Sequence, residues 1–470
     1  MASEAKATDG RDFARVHFIG IGGAGMSGIA LVLHQRGYAV SGSDLKSSRY
    51  TRPLVRAGVD VTVGHDAATV DRVRPDVVVI SSAIPETNPE LVRARELGIP
   101  VWPRAKMLSY LSRGAVTIAV AGTHGKTTTS SLAATMLDKL GQHPTFLIGG
   151  VIDGYETNGH NGSGPYFVAE ADESDGSFLF LDPNYVIVTN VEADHLDHYG
   201  TLEAIEEAFC KLMASIPQDG ALIVCGEDPH LPELARSCDR RVVTYGFGAD
   251  NDVVVSLENE TLGANRFAVT LPGGERVEVH LDHNPGRHNA LNAAAVLALG
   301  QLLGLDAQAC AQAVSGFAGV HRRFERVGEA NGVLVVDDYG HHPTEIAATL
   351  AAARQLGRKR VLVVFQPHRY SRTQALAAQF GPAFRDADEV FVMDVFSAGE
   401  MPIPGVSGKT VSTEVAKANP GMPVSFVPSR HDLVERLAAE ARPGDLVMTM
   451  GAGDVTMTGP ALLEAIAARA

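Results

Sequence analysis

Short apolar runs alternate along the chain with Ala- and Leu-rich stretches of helical period. This alternation is typical of βα units, in which parallel strands are buried between layers of helices. The apolar runs predict strands at 16–20, 38–43, 77–81, 116–120, 142–151, 166–171, 185–190, 333–337, 360–365, 389–394, 424–427 and 446–450. Apolar residues recur at helical spacing in a stretch that follows the first strand and ends at residue 36, and again at 90–97, 202–215 and 288–303. The pattern predicts an α/β protein.

Two interruptions divide this pattern. The βα alternation pauses around 111–114, and its character changes again near 316–324. They predict three domains, 12–113, 114–318 and 319–470, which fits about 150 residues per domain. Between 253 and 280 apolar and polar residues alternate around a Pro-Gly-Gly turn, which predicts a small antiparallel hairpin in the central domain.

Composition excludes several classes of protein. Apolar residues make up 45% of the 470 positions and charged residues 20%, so the chain is not disordered. A formal charge of -15 disfavours nucleic-acid duplexes and anionic membranes as partners. The first 15 residues do not resemble a secretion signal, no run is long enough to span a membrane, and the four cysteines lack CxxC spacing. We therefore expect a cytoplasmic protein, a monomer or weak homodimer, without membrane insertion.

The first glycine-rich turn has the sequence GIGGAG at 20–25, between a predicted strand and a helix. In such a turn the backbone amides and the helix N-terminus can hold a diphosphate. Asp44 ends the next strand, where a ribose hydroxyl is often bound. The motif alone leaves open a dinucleotide, another nucleotide diphosphate, or a structural turn.

A second glycine-rich turn, GTHGKTT at 122–128, also joins a strand to a helix. Its amides would surround phosphates, Lys126 would neutralise the β and γ oxygens, and Thr127 would offer a hydroxyl to Mg²⁺. It departs from the usual P-loop because Val120 occupies the position of the first glycine. We predict an ATP site here, with a substrate that itself carries a diphosphate at the first turn.

Two acidic segments, EADESD at 170–175 and TNVEADHLDH at 189–198, follow strands beside this loop. Carboxylate oxygens at strand ends are suited to Mg²⁺. A single acidic segment is usually a solvated loop, but two segments at successive buried strands favour a metal site.

Eight motifs occur in order between residues 20 and 373: GIGGAGMSG, GTHGKTT, EADESD, TNVEADHLDHYG, GRHNALNA, HRRFE, DDYGHHPTE and FQPHRYSRT. Together they resemble the Mur peptide ligases over nearly the whole chain. The resemblance implies an N-terminal Rossmann-like UDP-binding domain, a central P-loop ATPase domain with a mostly parallel sheet plus a small antiparallel part, and a C-terminal Rossmann-like amino-acid domain. It further implies ATP-dependent ligation of L-alanine to the lactyl carboxylate of UDP-N-acetylmuramate through an acyl phosphate, in peptidoglycan precursor synthesis.

The resemblance also implies roles for individual residues. The UDP-sugar would contact Gly20, Gly22, Gly23, Gly25, Met26, Ser27, Asp44 and Ser82. ATP would contact Gly122, Thr123, His124, Gly125, Lys126, Thr127, Thr128, Asn289, Arg323 and Asp337. Mg²⁺, or Mn²⁺ in its place, would be held by Thr127, Glu170 and His195. The amino acid would lie against Tyr339, His341, Arg369 and Arg372, with His341 as a hypothetical proton acceptor.

Three other functions are weighed against this one. A nucleotide-dependent oxidoreductase built on GIGGAG leaves the second turn unexplained. A related ligase that recycles a preformed peptide onto the same sugar would share the ATP motifs. A regulator that binds UDP-sugars without catalysis would not need Lys126 or Glu170. In sibling ligases a carbamylated lysine helps to hold metal, but Lys211 does not align securely with it and is not assigned.

Overall fold

The structure is a computed structural model and describes residues 12–174, 176–194, 196–257 and 265–469. Packing separates two compact units. The first contains the residues up to Val254 with Thr270–Glu275 and Asn292–Ala313, and the second contains Val255–Val269, Arg276–Leu291 and the chain from Val314. Within the described ranges, no helix is long and apolar enough to cross a membrane. All four cysteines are free thiols.

The first sheet, in the first unit, has five parallel strands in the order β3-β2-β1-β4-β5. Its strands are β1 Arg15–Ile19, β2 Ala39–Asp44, β3 Asp60–Val63, β4 Val77–Ile80 and β5 Val101–Pro103. Its helices are α1 Ala24–Gln35, α2 Thr51–Arg56, α3 Ala67–Val73, α4 Pro89–Glu96 and α5 Arg104–Ser112. The strand order reverses at β1, so the turn between β1 and α1 lies where sheets of this type bind ligands.

The second sheet also begins in the first unit, where seven strands follow the order β12-β11-β10-β6-β9-β7-β8. They are β6 Val116–Ala121, β7 Thr145–Leu147, β8 Gly159–His160, β9 Tyr166–Glu170, β10 Tyr185–Val188, β11 Ala221–Cys225 and β12 Arg241–Gly246. All their pairs are parallel except β7 with β8. The helices here are α6 Lys126–Lys139, α7 Leu196–Tyr199, α8 Leu202–Ala214 and α9 Leu231–Arg236. Since β6, β9 and β10 are neighbours, the loops after them meet at one edge.

Three further strands and two helices follow in the chain: β13 Val253–Leu257, β14 Asn265–Thr270, β15 Arg276–Leu281, α10 Arg287–Leu302 and α11 Ala307–Ser315. β14 and β15 are adjacent and joined by a turn in which Leu271 N donates to Glu275 O at 2.8 Å. Buried and exposed residues alternate along β15. The predicted antiparallel hairpin is confirmed.

The third sheet, in the second unit, has the order β16-β17-β21-β18-β19-β20 and is parallel except for β16 with β17. Its strands are β16 Glu325–Ala330, β17 Val333–Asp338, β18 Arg360–Phe365, β19 Glu389–Val392, β20 Val424–Phe426 and β21 Asp445–Met450. Its helices are α12 Pro343–Arg354, α13 Tyr370–Ala375, α14 Ala377–Ala383, α15 Gly408–Ala418, α16 Arg430–Glu440 and α17 Thr458–Ala467. Helices α12, α14 and α15 bury one face of the sheet, and α16 and α17 bury the other.

The predicted strands are present, but the structure adds several and shortens one. The run at 142–151 contains only the three-residue β7. The strands that the apolar pattern did not indicate are β3, β5, β8, β11, β12 and β16. The strands of the three sheets lie within 12–113, 114–318 and 319–470, although packing gives two units. The boundaries themselves stay a prediction.

Candidate active site

The GIGGAG turn uses most of its own amides to hold its shape. Gly20 N and Ile21 N donate to Ser43 O at 2.8 and 3.0 Å, and Gly22 N donates to Asp44 Oδ2 at 2.8 Å. The prediction gives both the loop amides and the helix N-terminus to a diphosphate; these three amides have internal acceptors, whereas the first amides of α1 have none inside the helix. The diphosphate contact stays a prediction. Asp44 thus binds the turn, and its contact with a ribose stays a prediction.

Arg104, at the start of α5, is a residue that the sequence reasoning missed. A Cβ placed at Gly25 would lie 2.5 Å from Arg104 Nη1, so the guanidinium covers the start of α1. Its Nη2 lies 3.6 Å from Asp172 Oδ2 and 3.5 Å from Ser177 Oγ. Arg104 therefore connects the first glycine turn to the acidic loop after β9. Its place at a strand-to-helix junction was the available signal.

The other residues assigned to the sugar nucleotide differ in exposure. Met26 and Ser27 are buried inside α1, and Ser27 Oγ accepts a hydrogen bond from Asn158 Nδ2 at 3.4 Å. Ser82 is exposed in the segment after β4, at the same edge of the sheet as the glycine turn. The Met26 side chain is therefore buried beneath α1 and does not face solvent.

The GTHGKTT loop joins β6 to α6 and is held by the end of β10. Thr123 N donates to Asn190 O at 3.0 Å, and His124 N donates to Asn190 Oδ1 at 2.9 Å. Thr189 Oγ1 and Asn190 Nδ2 both donate to His124 O. The TN pair at the start of the second acidic segment thus fixes the conformation of the loop.

Two glycines of this loop have left-handed backbone conformations. Gly122 has φ +129°, and a Cβ there would lie 2.1 Å from Thr189 Oγ1. Gly125 has φ +83° and faces Asn292 Oδ1. Thr123 and Thr128 are buried beside them. The loop therefore needs glycine at both positions because β10 and α10 approach closely.

Lys126 and Thr127 begin α6 and face the acidic loop. Lys126 Nζ donates to Gly122 O at 2.5 Å and to Thr123 O at 3.1 Å, and lies 2.9 Å from both carboxylate oxygens of Glu173. Thr127 Oγ1 donates to Glu170 Oε1 at 3.1 Å, and Gly149 N donates to Glu170 Oε2 at 2.8 Å. The structure thus brings together Lys126, Thr127 and Glu170, as the motifs predicted.

The charged groups in this site shift one another's pKa values. Burial would lower the pKa of Lys126, but the nearby carboxylates of Glu173, Asp172 and Glu170 raise it overall. Burial raises the pKa of Glu173 to about 7, against the opposing effect of Lys126. The pKa of Asp172 is lowered because Lys126 and Arg104 outweigh its burial. We infer a charged lysine shared among three carboxyl groups.

The predicted metal ligands fit a hard divalent cation as far as the structure describes them. The Thr127 hydroxyl and the Glu170 carboxylate supply adjacent oxygen donors, which Mg²⁺ prefers. His195, the third predicted ligand, lies outside the described residues. Its role as a ligand therefore stays a prediction.

In the second unit, the carboxylate of Asp337 is engaged in internal contacts. Arg322 Nε donates to Asp337 Oδ2 at 3.0 Å, and Thr449 Oγ1 donates to Asp337 Oδ1 at 2.5 Å. Asp337 is 1% exposed. Arg323 instead lies 3.7 Å from Glu345 and 5.1 Å from the centre of the Tyr339 ring. The predicted nucleotide contacts of Asp337 and Arg323 stay predictions, but only Arg323 is at a partly open surface.

The residues predicted to hold the amino acid lie near one another. The rings of Tyr339 and His341 meet edge to face at 5.5 Å, His341 meets His368 at the same distance, and His368 stacks on Phe396 at 5.8 Å. Arg372 Nη1 lies 3.4 Å from His368 Nδ1. Sequence reasoning missed His368 and Phe396, although His368 stands inside the FQPHRYSRT motif.

Backbone hydrogen bonds and nearby charges further constrain this ring cluster, which consists of Tyr339, His341, His368 and Phe396. Arg369 has φ +68° and donates its backbone N–H to Phe396 O at 2.8 Å. His341 Nδ1 lies 3.1 Å from Tyr339 O. Burial and the guanidiniums of Arg372 and Arg369 lower the pKa of His368 to about 4. The cluster is thus an aromatic surface beside two arginines, suited to a small carboxylate.

Asn289, predicted to contact adenine, lies at the start of α10. Its Nδ2 donates to Pro285 O at 3.0 Å, which orients the amide. The neighbouring His288 has a pKa lowered to about 4 by burial and by the charge of Arg323. The structure therefore places Asn289 on a constrained segment, and its contact with adenine stays a prediction.

Comparison with known proteins agrees with these observations. Three family models match in order: "Mur ligase family, catalytic domain" at residues 15–115, "Mur ligase middle domain" at 120–300 and "Mur ligase, glutamate ligase domain" at 322–453. A UDP-N-acetylmuramate–L-alanine ligase of Nitratidesulfovibrio vulgaris is 47% identical over 94% of this chain and 97% of its own, and one of Pelotomaculum thermopropionicum is 48% identical over 96% and 97%.

Solved structures give the same result. The UDP-N-acetylmuramate–alanine ligase of Thermotoga maritima has a TM-score of 0.81 and 31% identity, and the match covers 97% of this chain and all of that one. A murein peptide ligase of Psychrobacter arcticus has a TM-score of 0.72 and 25% identity over 97% and 99% of the two chains. The chain belongs to the Mur ligase family.

Proposed function

We propose that this protein ligates L-alanine to the lactyl carboxylate of UDP-N-acetylmuramate at the expense of ATP, in the cytoplasmic synthesis of peptidoglycan precursors. The observation that carries the proposal is the contact of Lys126 and Thr127 with the acidic loop, in the same unit as a second anion-binding turn. The full-length relatives that bear this activity in their names support it.

The reaction must activate a poor acyl donor. A lactyl carboxylate oxygen attacks the γ-phosphorus of ATP, and the bond to ADP breaks to give an acyl phosphate. The amine of alanine then attacks the acyl carbon, the nitrogen loses a proton, and phosphate leaves with the electrons of its bond to carbon. Such steps depend on positioning and on neutralising the phosphate charge.

Different residues of this chain hold ATP, the sugar nucleotide and alanine. Lys126 places a positive charge at the phosphates, and the amides at the start of α1, with Arg104 beside them, hold the sugar diphosphate. Arg369 and Arg372 bind the alanine carboxylate, and Tyr339 and His341 line the pocket around its methyl group and amine. His341 is the proposed acceptor of the amine proton.

A divalent ion fits this scheme because Thr127 and Glu170 offer paired oxygen donors beside the lysine. Mg²⁺, with Mn²⁺ as an alternative, would be held by these two residues and by His195. When bound, it would neutralise phosphate charge.

The second candidate is a ligase that attaches a preformed peptide to the same sugar. The murein peptide ligase of Psychrobacter arcticus supports it, with the same fold at lower identity. An oxidoreductase has no such support. The lysine, threonine and carboxylates around the second turn have no role in hydride transfer.

The test is phosphate release from ATP with UDP-N-acetylmuramate, with and without L-alanine, in Mg²⁺ and in EDTA. We expect phosphate only with Mg²⁺ and both substrates, together with a sugar nucleotide heavier by one alanine residue. Turnover with a tripeptide but not with alanine would select the recycling reaction. Phosphate release that is independent of the sugar would refute the role of the first turn.

A further inference from the structure

The ammonium group of Lys126 is fully occupied by acceptors of the protein itself. Its three N–H donors face Gly122 O at 2.5 Å, Thr123 O at 3.1 Å and the Glu173 carboxylate at 2.9 Å. The side chain therefore folds back over its own loop. A phosphate that enters the loop must replace one of these acceptors to reach the lysine.

Glu173 is the acceptor whose side chain can move without moving the backbone. The two carbonyls belong to a loop that Thr189 and Asn190 hold in place. The backbone of Glu173 is also fixed, because its carbonyl accepts from Tyr199 Oη at 2.6 Å and from Gly176 N at 3.0 Å. Its carboxylate, by contrast, is attached through rotatable bonds.

The excess of negative charge around Lys126 makes its contact with Glu173 relevant to nucleotide binding. Three carboxyl groups, those of Glu170, Asp172 and Glu173, act on Lys126, and one further cation, Arg104, lies 3.6 Å from Asp172. Among these described side chains acids outnumber bases, and Glu173 is 3% exposed, so solvent screens it little. A nucleotide phosphate at Lys126 would lie beside the Glu173 carboxylate and be repelled by it.

We propose that Glu173 competes with the nucleotide phosphates for Lys126, so that nucleotide binds weakly until a divalent cation offsets the carboxylates. This inference rests on the proposed ATP site. Glu173 is then a positioning residue: its carboxylate holds the lysine, which would turn to nucleotide phosphates bound together with a divalent cation. The same carboxylate makes the site poor at retaining metal-free nucleotide.

The test is ADP binding to the full chain by isothermal titration calorimetry, in EDTA and in Mg²⁺, at about pH 8.5, where a carboxyl group with a pKa of about 7 is ionised. We expect Glu173→Gln to tighten ADP binding in EDTA by at least about tenfold, because a like-charge contact that solvent screens little costs more than the same contact in bulk water. The same variant should change the affinity in Mg²⁺ much less. Glu173→Asp keeps the charge and should bind ADP in EDTA as weakly as the wild type does.

A matched control is Glu192→Gln. The carboxylate of Glu192, in the segment after β10, lies 3.5 Å from His124 of the GTHGKTT loop and is directed at that histidine. If it tightened ADP binding as much as Glu173→Gln, the effect would be general charge and the inference would be overturned. Unchanged or weaker binding in Glu173→Gln would also overturn it. Absence of ADP binding to the wild type even with Mg²⁺ would instead refute the nucleotide site itself.

Discussion

At the scale of single residues, substitutions of Lys126 and Lys211 test whether the two proposed anion sites act separately. Both are helical lysines, but Lys126 contacts the glycine loop, whereas Lys211 pairs with Glu207 at 2.9 Å on an exposed face. Removing Lys126 deletes the positive charge at the proposed phosphate site without touching the first turn. We expect Lys126→Ala to lower phosphate release at least about a thousandfold and to leave UDP-sugar affinity nearly unchanged, as measured by calorimetry.

Lys211→Ala is the control for this prediction. Its side chain is 60% exposed, so we expect normal turnover and normal stability. Loss of UDP-sugar binding in Lys126→Ala would mean that the sites are not separable. Loss of turnover in Lys211→Ala would revive a metal-binding role for a modified lysine there.

The sequence identified residues whose chemistry follows from local motifs, and it failed where distant partners decide the role. Lys126 and Thr127 were predictable because a glycine loop at a helix start fixes where their side chains lie. The ligand contacts of Asp44 and Asp337 stay predictions, and the motifs did not indicate their internal partners, Gly22 and Arg322, which only tertiary packing brings near. Arg104 and His368 were missed for the same reason.

At the scale of elements, the contact between the GTHGKTT loop and the end of β10 explains why glycine stands at 122. A Cβ would lie 2.1 Å from Thr189 Oγ1 and 3.0 Å from Asn190 O, in a backbone conformation with φ +129°. Gly122→Ala must therefore push the loop off the strand. We expect at least about a tenfold loss of ADP affinity in Mg²⁺, since the loop amides would no longer converge on the phosphates.

Gly141→Ala, at the far end of α6, is the matched control. Gly141 has φ +70°, but a Cβ there would meet no atom within 4 Å. The substitution should therefore lower the free energy of unfolding by about 1 kcal/mol through backbone strain and leave ADP affinity unchanged. Equal loss of affinity in both variants would show that strain in general, rather than the contact with β10, disrupts the site.

Most buried strands were predictable as elements, whereas the polar edge strands β3 and β16 were not, although the edge strand β20 was. β17, β18 and β21 are apolar runs that are covered on both faces. β3 and β16 are partly exposed edge strands, and their polar residues mask the pattern. β11 is a different case, because it is buried throughout and its apolar run ALIVC alone could have identified it.

At the scale of the whole molecule, the two units should respond differently to acid. His288 and His368, both in the second unit, have pKa values lowered to about 4, mainly by burial. Neighbouring guanidiniums, Arg323 for His288 and Arg372 with Arg369 for His368, lower them further. Each histidine therefore stays neutral in the folded unit at a pH where it would be protonated in the unfolded chain.

The sign of the effect follows from proton linkage. An unfolded histidine binds its proton near pH 6.5, so between pH 6.5 and 4 the unfolded state holds more protons than the folded one. The contribution of these two histidines to the stability of the second unit should then fall as the pH falls, by up to about 1.4 kcal/mol per pH unit for each, and level off below about pH 4. Asp338, whose pKa burial raises to about 6, opposes part of this loss below pH 6. Above pH 6.5 these two groups contribute no slope.

Calorimetry combined with tryptophan fluorescence can assign this loss to the second unit. The single tryptophan, Trp102, lies in the first unit, so its fluorescence reports unfolding there alone. We expect a calorimetric transition that moves to lower temperature between pH 6.5 and 4 without a matching change in fluorescence. His368→Gln should reduce the slope, whereas His431→Gln, whose side chain is 80% exposed, should not. A slope that is the same in all three proteins would show that these histidines do not set the acid sensitivity of the unit, and the carboxylates would have to be considered instead.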